Sequence, residues 1–427
     1  MRVNLRSLSI GPSSGRRLAG IEGLRAIAAG SIVLYHCWGW SSPSGNRVQL
    51  WLADRVFPHL PVGVTLFFTL SGFLLYRPFA AALVRGQPGP SYAAYLRNRA
   101  LRILPAYWVV LLLSAVVLQT TWIRPSAASD LQIGNLASHP ARLLLTAVFV
   151  QNYLPDTVGT GIGPAWSLAV EVVFYLTLPL LVLLGYAFAR NASSRPRRRI
   201  AALVPALVTL VVGLSGKAVA MWVVPGAGAG LGWSGDWHSV LERSFLAQAD
   251  LFTFGMVVAV LWVDAEDRIV RAPAWWRRAT AAALVVVGIL TPLALDRGWL
   301  NHYAYDTLMA LGCALLLALV VLPLGPGPER SPLLRFMETP PLMVTGLISY
   351  GLFLWHEPLL WWLRSHHLTL DGTGGFVVNL LLLGGVSWLL AALTYWCVER
   401  PALLRKAKTR PREVEQLAEA GQRQAAP

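Results

Sequence analysis

Charge is what this sequence has least of. Asp, Glu, Lys and Arg together make up 13% of 427 residues, against 55% hydrophobic residues and a mean hydropathy of +0.54. A soluble chain of this length needs far more charge to cover its surface, so a soluble globular class is excluded. Cysteine is also scarce. Cys37, Cys313 and Cys397 fall in or beside apolar runs. An odd number in such places argues against a disulfide framework, and the spacing is not that of metal ligands. Acidic residues are few, 21 against 36 Lys and Arg, for a net charge of +15. No internal repeat is visible.

What is abundant is the long apolar run. Ten stretches have the length a tilted membrane helix needs, at about 18–38, 59–79, 103–122, 164–188, 201–223, 245–263, 279–296, 304–323, 342–363 and 376–397. The expected fold is therefore an all-α integral membrane protein of about ten transmembrane helices. The segment Leu143–Tyr153 is apolar but short, and is read as a re-entrant or interfacial helix in an outer loop. With the N-terminus inside, 27 of the 36 Lys and Arg fall in inner segments and 7 in outer loops; Arg25 and Lys217 are intramembrane. By the positive-inside rule this places both termini in the cytoplasm. It also accounts for the net charge without a nucleic-acid partner.

The N-terminus is basic and then apolar, as in a signal peptide. Glu22 and Arg25 interrupt the apolar part and no small-residue cleavage site follows, so it is read as a retained first span. Three regions result: a cytoplasmic basic N-terminus (1–17), a transmembrane domain (18–401) and a cytoplasmic polar tail (402–427). The largest outer loop, about 123–163, leaves no room for an extracytoplasmic domain.

The first span, Leu18–Trp40, carries Glu22, Arg25 and His36. Eleven residues at 100° each bring His36 to within about 20° of Arg25, some 16 Å along the axis. Ionisable groups in a span are costly and normally face protein or a wet cavity. The stripe reads either as a cavity lining or as an ion pair near one end with an interfacial histidine near the other. In the second span, Ser71-Gly72 is a small, close-packing spot. Arg97, Arg99 and Arg102 sit at the inner mouth of the third, with Arg99 and Arg102 on one face. Arginine there suits a phosphate-bearing ligand, although topology alone also requires basic residues at that end. The fourth span aligns Ser167, Glu171 and Tyr175, and a carboxylate at that depth needs a partner. The ninth contains Tyr350, His356 and Glu357, then Pro358, where a kink or unwinding is expected. His36, Glu171 and His356 all count to the outer half.

These pieces, in this order, resemble the membrane acyltransferase-3 family, the O-antigen and exopolysaccharide acetylases and macrolide acyltransferases. The resemblance runs from Leu18 to about Pro401. It rests on Arg25-x10-His36, LFFTLSGFLL, the run holding Arg99, Arg102, Pro105 and Tyr107, WSLAVEVVFY, SYGLFLWHEP and Glu399-Arg400-Pro401. Two departures stand out. Asn98-Arg99 replaces the adjacent arginines of many members, with Arg97 nearby, and Thr65 stands where many have an acidic residue.

The resemblance implies transfer of an acyl group, usually acetyl, from acyl-CoA to a hydroxyl, often on a sugar. Acyl-CoA would be a co-substrate, with no bound cofactor and no metal. The family's essential histidine maps to His36 and its paired arginine to Arg25, and Arg99 and Arg102 become candidates for the CoA phosphates. His36 would be the general base, with Glu171 or His356 orienting it or the acceptor. Ser71, Tyr350 and backbone N–H groups are candidate oxyanion donors. The expected partners are acyl-CoA, the bilayer, and a glycan, lipid-linked sugar or glycosylated metabolite. The expected location is a bacterial cytoplasmic membrane. The competing class is a multi-span transporter or flippase of a sugar or lipid-linked glycan, which usually shows inverted repeats.

Overall fold

In the computed structural model the described residues are 18–41, 55–127, 129–222, 233–267, 269, 274–322 and 331–407. The basic N-terminus and most of the polar tail lie outside them. Among the described residues each of the ten apolar stretches is helical, and ten long helices carry most of them. They are α1 (Ile21–Trp40), α2 (Val62–Arg85), α3 (Tyr92–Leu112), α4 (Trp166–Ala189), α5 (Arg195–Trp222), α6 (Asp250–Glu266), α7 (Ala274–Asp296), α8 (His302–Val321), α9 (Ser349–Ser365) and α10 (Gly372–Thr394). Helices dominate because a chain this apolar must satisfy its backbone groups within each segment. Among the described residues, seven helices are long and apolar enough to cross a membrane by length and composition. The other three are α1, diluted by Glu22, Arg25 and His36, and α6 and α9, at 17 residues each.

Packing follows small residues. A Cβ on Gly72 of α2 would run into the Phe252 carbonyl of α6, and one on Gly255 of α6 into the Thr69 carbonyl of α2. The two backbones therefore touch, and larger side chains at either position would force them apart. Helix α1 lies against α2, α9, α10 and the short helix Pro340–Leu347. At the other extreme, α7 packs on α8 and leaves Val285, Val286, Ile289 and Leu290 exposed, a lipid-facing surface.

Two expectations change. The break in the ninth span is at Ile348, between Pro340–Leu347 and Ser349–Ser365, whereas Pro358 lies inside an unbroken helix. Proline removes only one hydrogen bond there, and the packed neighbours hold the helix through it. The outer loop is also more built than a loop. A two-stranded antiparallel hairpin, β1 (Thr121–Ile123) and β2 (Gln132–Gly134), opens it, and the helix Pro140–Ala147 follows. The stretch from Phe149 to Ala165 then folds inward, burying Gln151, Asn152, Val158 and Ile162. Helix α4 thus starts below a protein roof.

Candidate active site

Helix α1 carries two polar groups with an apolar layer between them. Ala29 and Val33, midway along the Arg25–His36 stripe, are buried against Ile348, Leu352, Ala391 and Tyr395. The stripe is therefore not one open groove on that face.

At the outer end His36 meets His356 of α9. Their rings are 5.0 Å apart, and His36 Nδ1 lies 3.2 Å from His356 Nε2. His356 is fully buried while His36 is half-buried. The neighbouring carbonyls fix the tautomers. His356 Nδ1 faces the Leu352 carbonyl at 3.3 Å, and His36 Nδ1 faces the Ile32 carbonyl at 3.0 Å. A carbonyl only accepts, so both Nδ1 atoms carry hydrogen. His356 Nε2 then accepts from His36, which shares its Nδ1–H between two acceptors. His36 Nε2 is left with a lone pair on the half-exposed edge of the ring. That is the arrangement a general base requires.

At the inner end Arg25 lies within electrostatic range of Arg102, Glu22, Glu399 and Glu171. Arg102 Nη1 is 3.3 Å from Glu399 Oε2, and the Glu399 side chain is 1% exposed. Glu399 is presented by a π turn, Tyr395–Glu399, that continues α10. Glu171 accepts a hydrogen bond from Ser71, and Tyr175 lies beside it on the next turn of α4. Arg99 and Tyr95 lie beside the same carboxylate.

The family model for the acyltransferase domain matches residues 18–396. The chain belongs to the acyltransferase-3 family. Several curated relatives match over almost all of it. O-acetyltransferase OatA of Staphylococcus aureus (strain NCTC 8325 / PS 47) is 25% identical over 416 residues, covering 91% of this chain and 57% of that protein. Peptidoglycan O-acetyltransferase OatA of Listeria monocytogenes is 24% identical over 396 residues, covering 91% and 56%. Nodulation protein 10 of Rhizobium leguminosarum bv. viciae is 24% identical over 411 residues, covering 92% and 94%. The chain thus spans a little over half the length of the OatA proteins. No solved structure matches it.

Within this acyltransferase-family protein, the structure brings His36 and His356 together. It places Glu171 with Ser71, Tyr175 and Arg99, away from the histidine contact. Its depth by residue counting suggested the outer half, but α4 begins beneath the inward-folded loop, so its fifth residue past Trp166 joins the group around Arg25. The Tyr350 hydroxyl donates to the Ile103 carbonyl at 3.0 Å, pinning α9 to α3.

Three polar features have partners that the sequence does not show. Glu357, beside His356, accepts from Trp122 Nε1 at 2.9 Å and Trp361 Nε1 at 3.3 Å, tying β1 to α9. Arg243 stacks between Trp166 and Trp233, 4.5 and 4.2 Å from the ring centroids. Lys217 pairs with Asp250 at 2.6 Å deep between α5 and α6. Lys217 and Asp250 left a pairing signal, single charges of opposite sign in adjacent spans, and Glu357 stands beside His356 in the ninth span.

Proposed function

We propose that this protein is a membrane O-acyltransferase that moves an acyl group, acetyl in the first instance, from acyl-CoA to a hydroxyl of a glycan or glycosylated small molecule. The observation that carries this reading is the His36–His356 pair, whose hydrogen bonds leave the Nε2 lone pair of His36 at the half-open edge. The family supplies the reaction class, and the O-acetyltransferase relatives favour acetyl and a glycan.

The chemistry balances with one base. His36 Nε2 takes the proton of the acceptor hydroxyl as its oxygen attacks the thioester carbonyl. The tetrahedral intermediate collapses, the C–S bond breaks, and the proton passes from His36 to the departing thiolate. His356 accepts from His36 Nδ1–H and so stabilises the imidazolium that forms between the two steps. Of the expected oxyanion donors, Ser71 and Tyr350 already give their hydroxyl protons to Glu171 and Ile103. Backbone N–H groups remain for that role.

The surplus of Lys and Arg on one set of loops supports cytoplasmic termini and a multi-pass protein of the bacterial cytoplasmic membrane, with 18–401 as the catalytic unit. Acyl-CoA, made in the cytoplasm, would then enter at the Arg25–Arg99–Arg102 end. The histidines lie about 16 Å further along α1, within reach of a long flexible thioester arm.

The test uses purified wild type and His36→Ala with acetyl-CoA and a panel of sugars and lipid-linked glycans, following free CoA thiol. Thiol release by the wild type alone supports the proposal, and the panel ranks acceptors. Equal release by both removes His36 from the chemistry. No release by either, with no rise in melting temperature on adding acetyl-CoA, favours a transporter or flippase.

A further inference from the structure

At the histidine end of the bundle, polar side chains keep accessible surface on helix faces that are otherwise sealed. Asp306, in the second turn of α8, shares a face with Ala310, Cys313 and Leu317, and all three are buried. Its side chain is therefore on the inward face, yet Asp306 is only half-buried. Tyr35 of α1 repeats the pattern. It shares a face with Leu24 and Ala28, which are fully buried, and is half-buried itself. Arg243, just past the short helix Trp237–Glu242, is half-buried between the buried Glu242 and Ser244. These three belong to one place. Tyr35 and Asp306 both lie within electrostatic range of Arg243, and the Tyr35 ring meets the His36 ring edge-on with centroids 5.1 Å apart. Inward-facing polar groups with accessible surface, drawn from α1, α8 and the segment between α5 and α6, line a recess beside His36.

Two of the three lack a partner. Among the described residues the Tyr35 hydroxyl and the Asp306 carboxylate make no hydrogen bond or ion pair. Their neighbours are satisfied: Tyr303 with His238 at 3.3 Å, Tyr305 with His59 at 3.0 Å, and Asp250 with Lys217 and Thr307. Arg243 has its faces covered by Trp166 and Trp233, so a ligand meets its N–H groups from the edge. Charge then narrows what the recess takes. Lys217, His302, Arg243 and Asp250 all lie within electrostatic range of Asp306, and Glu242 lies beside Arg243 and His302. A cationic ligand would face Lys217 and Arg243, and an anionic one would face three carboxylates. A neutral polyhydroxyl ring avoids both, giving an O–H to Asp306 in a charge-assisted hydrogen bond and accepting from Tyr35 or Arg243. We propose that this recess is the acceptor subsite. It selects an uncharged sugar through a hydrogen bond from one sugar hydroxyl to the Asp306 carboxylate, with Tyr35 and Arg243 turning another hydroxyl toward His36. The inference rests on the acyl-transfer reading above and names the residues that read its acceptor.

The experiment uses the full chain in detergent with acetyl-CoA, following free CoA thiol. The acceptors are the best neutral sugar of the panel, its monodeoxy analogues and an amino analogue that carries an ammonium. The variants are the near-isosteric Asp306→Asn and Tyr35→Phe, each checked for an unchanged unfolding midpoint. The wild type should lose about tenfold or more in kcat/KM on one monodeoxy analogue, the hydrogen bond to a charged group being lost. Asp306→Asn should raise the KM of the parent sugar by a similar factor, discriminate against that analogue by a smaller factor, and leave the KM of acetyl-CoA unchanged. Tyr35→Phe should raise the acceptor KM less, and it carries the test alone should Asp306→Asn fail to fold. An Asp306→Asn protein with an unchanged acceptor KM, or with the wild-type penalty on every analogue, overturns the proposal and leaves the acyl-transfer reading intact. A loss that falls equally on donor and acceptor marks Asp306 as structural and overturns it too. Preference for the ammonium-bearing analogue over its neutral parent overturns the selection of an uncharged sugar. A wild type that acylates nothing in the panel overturns both readings.

Discussion

Two buried polar groups in this protein look alike in the sequence and differ in kind. Lys217, Asp250 and Thr307 form a triangle between α5, α6 and α8, with Asp306 in electrostatic range. Lys217 Nζ lies 2.6 Å from Asp250 Oδ2 and 2.8 Å from Thr307 Oγ1, and Thr307 gives its proton to the same oxygen at 2.5 Å. The two charged side chains are 5% and 0% exposed. His36 and His356 share a single hydrogen bond, and one ring is half-exposed with a free lone pair. A polar cluster whose strong donors and acceptors face each other holds helices together. One that keeps a reactive atom turned outward can act on a substrate. Intramembrane polarity alone does not separate the two, whereas exposure and the direction of the lone pair do.

The sharpest way to test the contrast is to remove the base. His36→Ala should lower thiol release by about 10²–10⁴-fold, the range for a positioned general base, with little change in the unfolding midpoint. The triangle should respond in the opposite sense. Asp250→Ala takes from the buried Lys217 ammonium its ion-pair partner and leaves Asp306 as the remaining carboxylate in electrostatic range, so it should cost up to about 3–5 kcal/mol. Replacing both together, Lys217→Met with Asp250→Leu, should recover most of that stability, because a matched apolar pair has nothing to desolvate. Unfolding midpoints by tryptophan fluorescence in detergent would show it. A double variant no more stable than the single one would mean that the triangle does more than hold helices.

Features local to one segment of this fold are legible in the sequence, and contacts between segments are not. The apolar stretches reappear as helices, seven of them among the described residues long and apolar enough to cross a membrane, because each segment must satisfy its own backbone in lipid. The Arg25–His36 phase is likewise a property of one helix. What could not be read is which side chain meets which across helices. Arg102 and Glu399 are nearly 300 residues apart, and Trp122 reaches Glu357 across 235. The depth of Glu171 was misjudged for a related reason. Counting from Pro164 assumes that the helix begins at the membrane surface, and the residues from Phe149 to Ala165 fold inward instead. Arg25-x10-His36 therefore marks two polar groups on one helix, whereas their partners depend on the packing of α3, α4, α9 and α10.

Tyr350 offers a smaller effect and a finer distinction. Its hydroxyl donates to the Ile103 carbonyl, so Tyr350→Phe should cost about 1 kcal/mol of stability. Activity per folded molecule should change by less than a few fold. A donor to the oxyanion would cost about 10²–10³ in kcat, so the two roles are well separated.

The smallest effect lies at the end of the bundle farthest from the histidines, where pairs are closed but wet. Arg85 of α2 and Arg195 of α5 both reach Asp267, at 2.7 Å each, just beyond the end of α6. Hydrogen bonds, first from Arg85 and then from Arg195, hold the Asp267 carboxyl below the usual carboxylate range. A lowered pKa means that the folded state favours the ionised form. The contribution is therefore fully present above the unfolded value of about 3.9 and is lost as pH falls through the lower, folded-state pKa. The gap in unfolding midpoint between wild type and Asp267→Asn should be steady near neutrality and close only in strong acid. Because these groups are partly exposed, salt should narrow it as well. A gap that ignores both pH and salt would show that Asp267 acts through packing at the end of α6 rather than through its charge.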